Sequence, residues 1–127
     1  MIDKLKQHEK AWAEFVEWME SEHNYIYRPY NNAFCSFDDD VINFVPNREL
    51  RSLLIEFLDS KGILVEVDAY RRTFFEANIR IDEEDQYIFV LDKQNHSQMF
   101  SSRPEAEEQG IIKGIEIYNN QLNQKEK

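Results

Sequence analysis

The stretch Lys61–Asp92, KGILVEVDAYRRTFFEANIRIDEEDQYIFVLD, decides the fold. Ile63, Val65 and Val67 alternate with Leu64, Glu66 and Asp68. A period of two is the mark of a strand with one buried face. Thr73, Phe75, Ala77, Ile79 and Ile81 then alternate with Arg72, Phe74, Glu76, Asn78 and Arg80, the cleanest strand pattern in the chain. In a third run, Tyr87, Phe89 and Leu91 form one face, and Ile88 and Val90 the other. Both of its faces are apolar, which predicts a position more central in the sheet. Asp82-Glu83-Glu84-Asp85 reads as the hairpin loop between the second and third runs. The stretch therefore predicts a meander of three antiparallel strands, with one face that helices must cover.

Working back toward the N-terminus, Leu50, Leu53, Leu54, Phe57 and Leu58 recur at helical spacing. Pro46-Asn47 opens this middle helix, with Asn47 a suitable N-cap. Gly62 stands where a C′ glycine closes a helix in the left-handed conformation, so the helix feeds straight into the first strand. Residues 4–21 read as one earlier helix, with Leu5, Trp12, Phe15, Val16 and Met19 on its apolar stripe. Trp12 and Trp18 cannot both point the same way, because six residues turn a helix by about 240° net. One tryptophan therefore sits at the rim of the buried face, as a cover for the core or as an anchor for a partner.

Between these helices, residues 21–47 are the least regular part. His23-Asn24-Tyr25-Ile26-Tyr27-Arg28-Pro29-Tyr30 places three tyrosines, an arginine and a proline close together. Read as a loop, this is the composition of a recognition surface. The plainer alternative is that the tyrosines cap the core and hydrogen-bond through their hydroxyls. Tyr25, Tyr27, Arg28, Tyr30 and Trp18 are the candidate binding residues. Ala33–Phe37 and Val41–Val45 read as short strands, with Asp38-Asp39-Asp40 as a turn between them. Neither that triplet nor Asp82–Asp85 has the alternating oxygen ligands, the bend glycine and the terminal glutamate of a calcium loop. No metal site is expected. Arg71, Arg72 and Arg80 are the basic concentration of the central stretch, a cluster that could hold a phosphate or a carboxylate but is read first as cross-strand partners of Glu66, Asp68 or Asp92.

At the other end, Ser102 and Glu105 match an S-x-x-E capping box, and Pro104 suits a first turn. Ile111, Ile115, Tyr118 and Leu122 then form a helical stripe. Gly110 and Gly114 share one side of this helix, although each costs roughly 1 kcal/mol against alanine in a helix interior. Their placement predicts a close approach of the helix backbone to the sheet or to another helix.

The run Met99-Phe100-Ser101-Ser102-Arg103-Pro104-Glu105-Ala106, followed by a helix that ends in Ile117-Tyr118, resembles the C-terminal pattern of small uncharacterised proteins of bacterial prophages and mobile elements. The resemblance covers about the last quarter of the chain. Gly110 and Gly114 stand where such helices carry alanines. The resemblance implies a bacterial cytoplasm and a phage setting, and it transfers no catalytic residues.

Composition bounds the function. The chain has 127 residues, 25 acidic and 15 basic, for a formal net charge of -10. That length is one domain by prior and buries roughly 60–70% of its unfolded surface. Such a charge repels nucleic acid and anionic membranes. No stretch approaches the roughly 20 apolar residues of a membrane span, and no secretory signal is read at the N-terminus. Asn95-His96-Ser97 is then a chance match to the glycosylation sequon. Cys35 is the single cysteine. An internal disulfide is excluded, in keeping with a reducing compartment.

These readings predict a single α+β domain over residues 1–127, frayed at 1–3 and 120–127. A three- to five-stranded, mostly antiparallel sheet is packed by N-terminal, middle and C-terminal helices. With no nucleophile elbow, phosphate-binding glycine loop or paired metal ligands, the expected function is a non-enzymatic protein-binding or regulatory domain. It is expected to be cytoplasmic, to have a protein partner and to need no cofactor. One alternative is an acidic inhibitor that mimics nucleic acid on a basic host protein. The other is a small enzyme built on His23, Cys35 and His96.

Overall fold

A glycine in the left-handed region sets the junction between helix and sheet. In the computed structural model, which describes residues 1–21, 26–27, 35–36, 47–70, 74–81, 86–91, 94, 96 and 98–125, helix α3 spans Asn47–Ser60. The Lys61 N–H donates to the Leu58 carbonyl at 2.9 Å and the Gly62 N–H to the Asp59 carbonyl at 3.0 Å, which closes the last turn. Gly62 then takes φ +78, and nothing lies within 4 Å of where its Cβ would be. The position needs glycine for its backbone angle rather than for space.

From Gly62 the chain enters strand β3 (Ile63–Tyr70), which pairs antiparallel with β4 (Phe74–Ile81) along its whole length, from Ile63 opposite Ile81 to Tyr70 opposite Phe74. On the other edge of β4 lie β5 (Gln86–Phe89) and β6 (Met99–Phe100), both antiparallel to it. The predicted α+β class and antiparallel sheet are what forms. The third run is not central, however. Strand β4 is the central strand, and β5 lies at an edge. Two apolar faces on the third run were read as burial on both sides. In fact one face turns to the core, and the other leaves Phe89 40% exposed. The strand line also breaks. The Val90 N–H still donates to the Ala77 carbonyl at 3.2 Å, but the Val90 carbonyl accepts from the Gln98 N–H at 2.8 Å, so the chain leaves the ladder and re-enters it at β6.

The inner face of the sheet carries Ile63, Ala77, Ile79 and Ile81, all buried. Helix α4 (Arg103–Lys125) lies across it. The Glu105 N–H donates to Ser102 Oγ at 3.3 Å, one half of the predicted capping box, while the Glu105 carboxylate accepts from Ser101 Oγ at 3.3 Å. Gly110 and Gly114 permit the close approach read from the sequence. A Cβ at Gly110 would stand 2.8 Å from Val65 Cγ1, and one at Gly114 would stand 2.8 Å from Leu58 Cδ1.

The predicted first helix is two helices, α1 (Ile2–Lys6) and α2 (Glu9–Ser21). A tight turn separates them, with the His8 N–H donating to the Leu5 carbonyl at 3.0 Å. Leu5, Ala11, Phe15 and Met19 are fully buried. Each large apolar side chain sequestered in this way is worth about 1.5–3 kcal/mol against exposure. Helix α2 is tied to α4 by the Ala11 N–H, which donates to Asn119 Oδ1 at 3.1 Å, and by the Tyr118 hydroxyl, which donates to Glu14 Oε2. Arg51 joins α3 to α4, its Nε 3.4 Å from a Glu107 carboxylate oxygen and its Nη1 3.8 Å from one of Glu108. Helix α1 starts at Ile2, and α4 runs past Asn119 to Lys125.

The aromatic stretch is also more regular than a loop at one point. Ile26–Tyr27 forms strand β1, paired antiparallel with β2 (Cys35–Ser36), with Tyr27 opposite Cys35. The predicted strand Val41–Val45 lies outside the described residues. Among the described residues, no helix is long and apolar enough to cross a membrane.

Candidate functional site

The alternation that fills the core fixes what the opposite face of the sheet displays. Residues paired across the strands form rows there: Leu64 with Arg80, Glu66 with Asn78 and then Phe89, and Asp68 with Glu76 and then Met99, with Phe74 next along β4. Facing side chains in such rows have Cβ atoms about 4.5–5.5 Å apart. The large apolar side chains that remain exposed among the described residues are Phe74 at 46%, Phe89, Leu91 and Met99 at 41%. The rows put Phe74, Phe89 and Met99 on this outer face, and Leu91 lies just past the end of β5. No described helix covers them.

The face is divided. Its β5–β6 side is apolar, through Phe89 and Met99. Its β3 side is acidic, through Glu66 and Asp68. Asp68 stands opposite Glu76, a like-charge pairing that sheets disfavour. Between the two halves sits Asn78, only 3% exposed although it points away from the main core. Its Nδ2 donates to Asp68 Oδ2 at 3.1 Å, while its Oδ1 is buried with no hydrogen-bond partner among the described residues. A buried acceptor left without a donor costs about 1–3 kcal/mol. Among the described residues, neither Glu66 nor Asp68 has an ion-pair partner. Glu76 and Arg80 each have interactions of their own.

At its β5 edge this face runs into an open cleft of about 470 Å³ between the strand and α4. Ile88, Val90 and Ile112 supply apolar walls, and Gln98, Lys113 and Glu116 supply polar ones. The Lys113 ammonium lies 3.5 Å from the Glu116 carboxylate. Among the described residues, no group of three or more His, Cys, Asp or Glu side chains is placed to hold a metal ion.

Of the candidate binding residues, Tyr25, Arg28 and Tyr30 lie outside the described residues, and Tyr27 is described only as backbone in β1. Trp18 is half-buried and belongs to an aromatic cluster. Its ring stacks on Phe15, with centroids 6.2 Å apart and an interplanar angle of 26°, and meets Phe57 edge-on at 5.5 Å and 63°. Phe57 in turn meets Tyr118 edge-on at 5.7 Å and 79°, with the Lys61 ammonium 5.7 Å from the Phe57 ring centre. Of the residues considered for catalysis, His96 is exposed, Cys35 contributes backbone to β2, and His23 lies outside the described residues, as do both aspartate-rich turns.

The outer-face residues were not singled out in the sequence, though their signals were present. Phe74 falls on the polar register of its strand, and the third run is apolar on both faces. Comparison with protein-family profiles, curated proteins and solved structures finds no match to this chain.

Proposed function

We propose that the chain is a non-enzymatic protein-binding domain that meets its partner through the outer face of its sheet. The observation that carries this reading is the gathering of Phe74, Phe89 and Met99 on that one face, each at least 40% exposed. Isolated exposed apolar residues are ordinary, but several on one uncovered face are the usual mark of an interaction surface. Their aromatic and methionine character matches the enriched composition of interface cores. The acidic flank supplies a polar rim. A cytoplasmic, phage-encoded setting, as the C-terminal resemblance implies, fits a small regulator of another protein.

The test compares capture from bacterial lysate by the native chain and by a Phe89→Ser/Met99→Ser variant, at low and high salt. The native chain should retain a specific protein that the variant loses, while both unfold within about 2 °C of each other, as surface substitutions do. Equal capture by the two proteins would remove this face as the interface.

A further inference from the structure

The chemistry of the β3 half of the face says more about what binds there, on the reading that the face meets a protein partner. Glu66 and Asp68 project from β3 in consecutive rows, and Asn78 stands beside Glu66 in the middle of the sheet. One N–H of the Asn78 amide is committed to Asp68 Oδ2. The Glu66 and Asp68 carboxylates are the acceptors that reach solvent on this half, and neither has an ion-pair partner among the described residues. Arg80 lies beyond Asn78 toward the Ile81 end of β4 and has interactions of its own.

We infer that the partner presents a cationic, amphipathic protein segment to this face, seating an arginine against Glu66 and Asp68 and apolar side chains against Phe89 and Met99. Charge complementarity carries the choice of occupant. The unmet need is for hydrogen donors bearing positive charge, and guanidinium supplies five in a fixed fork suited to carboxylates. Arginine meets this geometry better than lysine, whose ammonium acts as a point charge. The apolar half, one strand away, takes the flanking side chains. A second copy of this chain fits worse. Face-to-face pairing would set two chains of net charge -10 against each other, like charge on like. A net charge of -10 also sets the chain against nucleic acid and anionic lipid as occupants.

The test is selection of a random peptide library displayed on phage against the immobilised chain at physiological salt. Enriched peptides are then synthesised and titrated by fluorescence anisotropy. They should carry arginine beside apolar residues. Glu66→Gln/Asp68→Asn should weaken binding about tenfold or more, the loss expected when one partner of a hydrogen-bonded charge pair is removed. Glu49→Gln/Asp59→Asn, the same change in net charge at exposed positions of α3, should change it by less than about twofold, as distant screened charges do. Replacing the peptide's arginine by citrulline, which is neutral and of the same shape, should cost the native chain as much and the Glu66→Gln/Asp68→Asn variant little more. Enriched peptides without a cation, or equal losses in the two charge variants, overturn the inference. If Phe89→Ser still abolishes binding in that case, the protein-binding face stands without its cationic partner. If Phe89→Ser has no effect, or no peptide is enriched, both readings fall.

Discussion

Replacing Gly110 by alanine sets two opposing effects against each other. In a helix interior the change should stabilise by about 1 kcal/mol, because glycine is a poor helix former. Here the new methyl would stand 2.8 Å from Val65 Cγ1 and 3.4 Å from Ala77 Cβ. Carbon atoms pack best at about 3.5–4.0 Å, so the first contact is short by about 0.7 Å or more. Val65 is β-branched, stiff at χ1, and held opposite Ile79 in the β3–β4 ladder. It cannot swing aside as a long side chain would, so α4 must lift or the strand must move. Overpacking of this kind costs about 1–3 kcal/mol. The packing effect should win, leaving a net loss of about 1 kcal/mol. For 127 residues that lowers the melting temperature by about 4 °C. The assay is a double-mutant cycle with Val65→Ala, read by thermal and urea unfolding. In the Val65→Ala background the methyl has room, and Gly110→Ala should become neutral or stabilising. The coupling energy should be about 1–2 kcal/mol. A higher melting temperature for Gly110→Ala alone, or no coupling, would refute the argument that glycine is needed there for close approach.

Tyr118 carries a pH-dependent contribution. Burial first, then its hydrogen bond to Glu14 and the charge of that carboxylate, hold its phenol above the ordinary tyrosine range. Unfolded tyrosine ionises near pH 10, so this stabilisation is complete below about pH 10 and is lost as pH rises through the elevated folded value. Tyr118→Phe should cost about 1 kcal/mol at neutral pH and show a shallower fall in melting temperature than the native chain above about pH 10; parallel curves would count against it. Trp18→Ala should lower stability by about 2 kcal/mol or more, since the ring packs on both Phe15 and Phe57. Loss of partner capture with unchanged melting temperature would instead make Trp18 a surface anchor.

The parts of the fold legible in the sequence are those where local chemistry and burial agree. Asn47, the leucine stripe and Gly62 mark the ends and the inner face of α3. The alternation through Ile63–Val67 and Phe75–Ile81 sets both the β3–β4 ladder and its core face. Gly110 and Gly114 announce a tight helix–sheet contact. The site was less legible, because an apolar residue reads the same whether its face is buried by the chain or held open for a partner. Phe89 and Leu91 therefore read as core, and β5 as central. Two-residue strands such as β1 and β2 carry no period to detect. The turn between α1 and α2 contains neither proline nor glycine, so nothing in the residue types signals it.

The tie between α2 and α4 joins residues far apart in the chain: Ala11 reaches Asn119 across 108 positions, and Glu14 reaches Tyr118 across 104. The β3–β4 hairpin closes over about a tenth of that length, and the difference in closure entropy is about 2 kcal/mol. During synthesis on the ribosome the hairpin can pair while α4 is still inside the exit tunnel. Until α4 emerges, the apolar inner face of the sheet has α3 beside it but no α4 across it, and α2 lacks its hydrogen-bonded ties to α4. Nascent chains halted with the hairpin outside the tunnel and α4 still within it would thus expose apolar surface on both sides of the sheet at once, the state in which chaperone capture or aggregation competes hardest with folding.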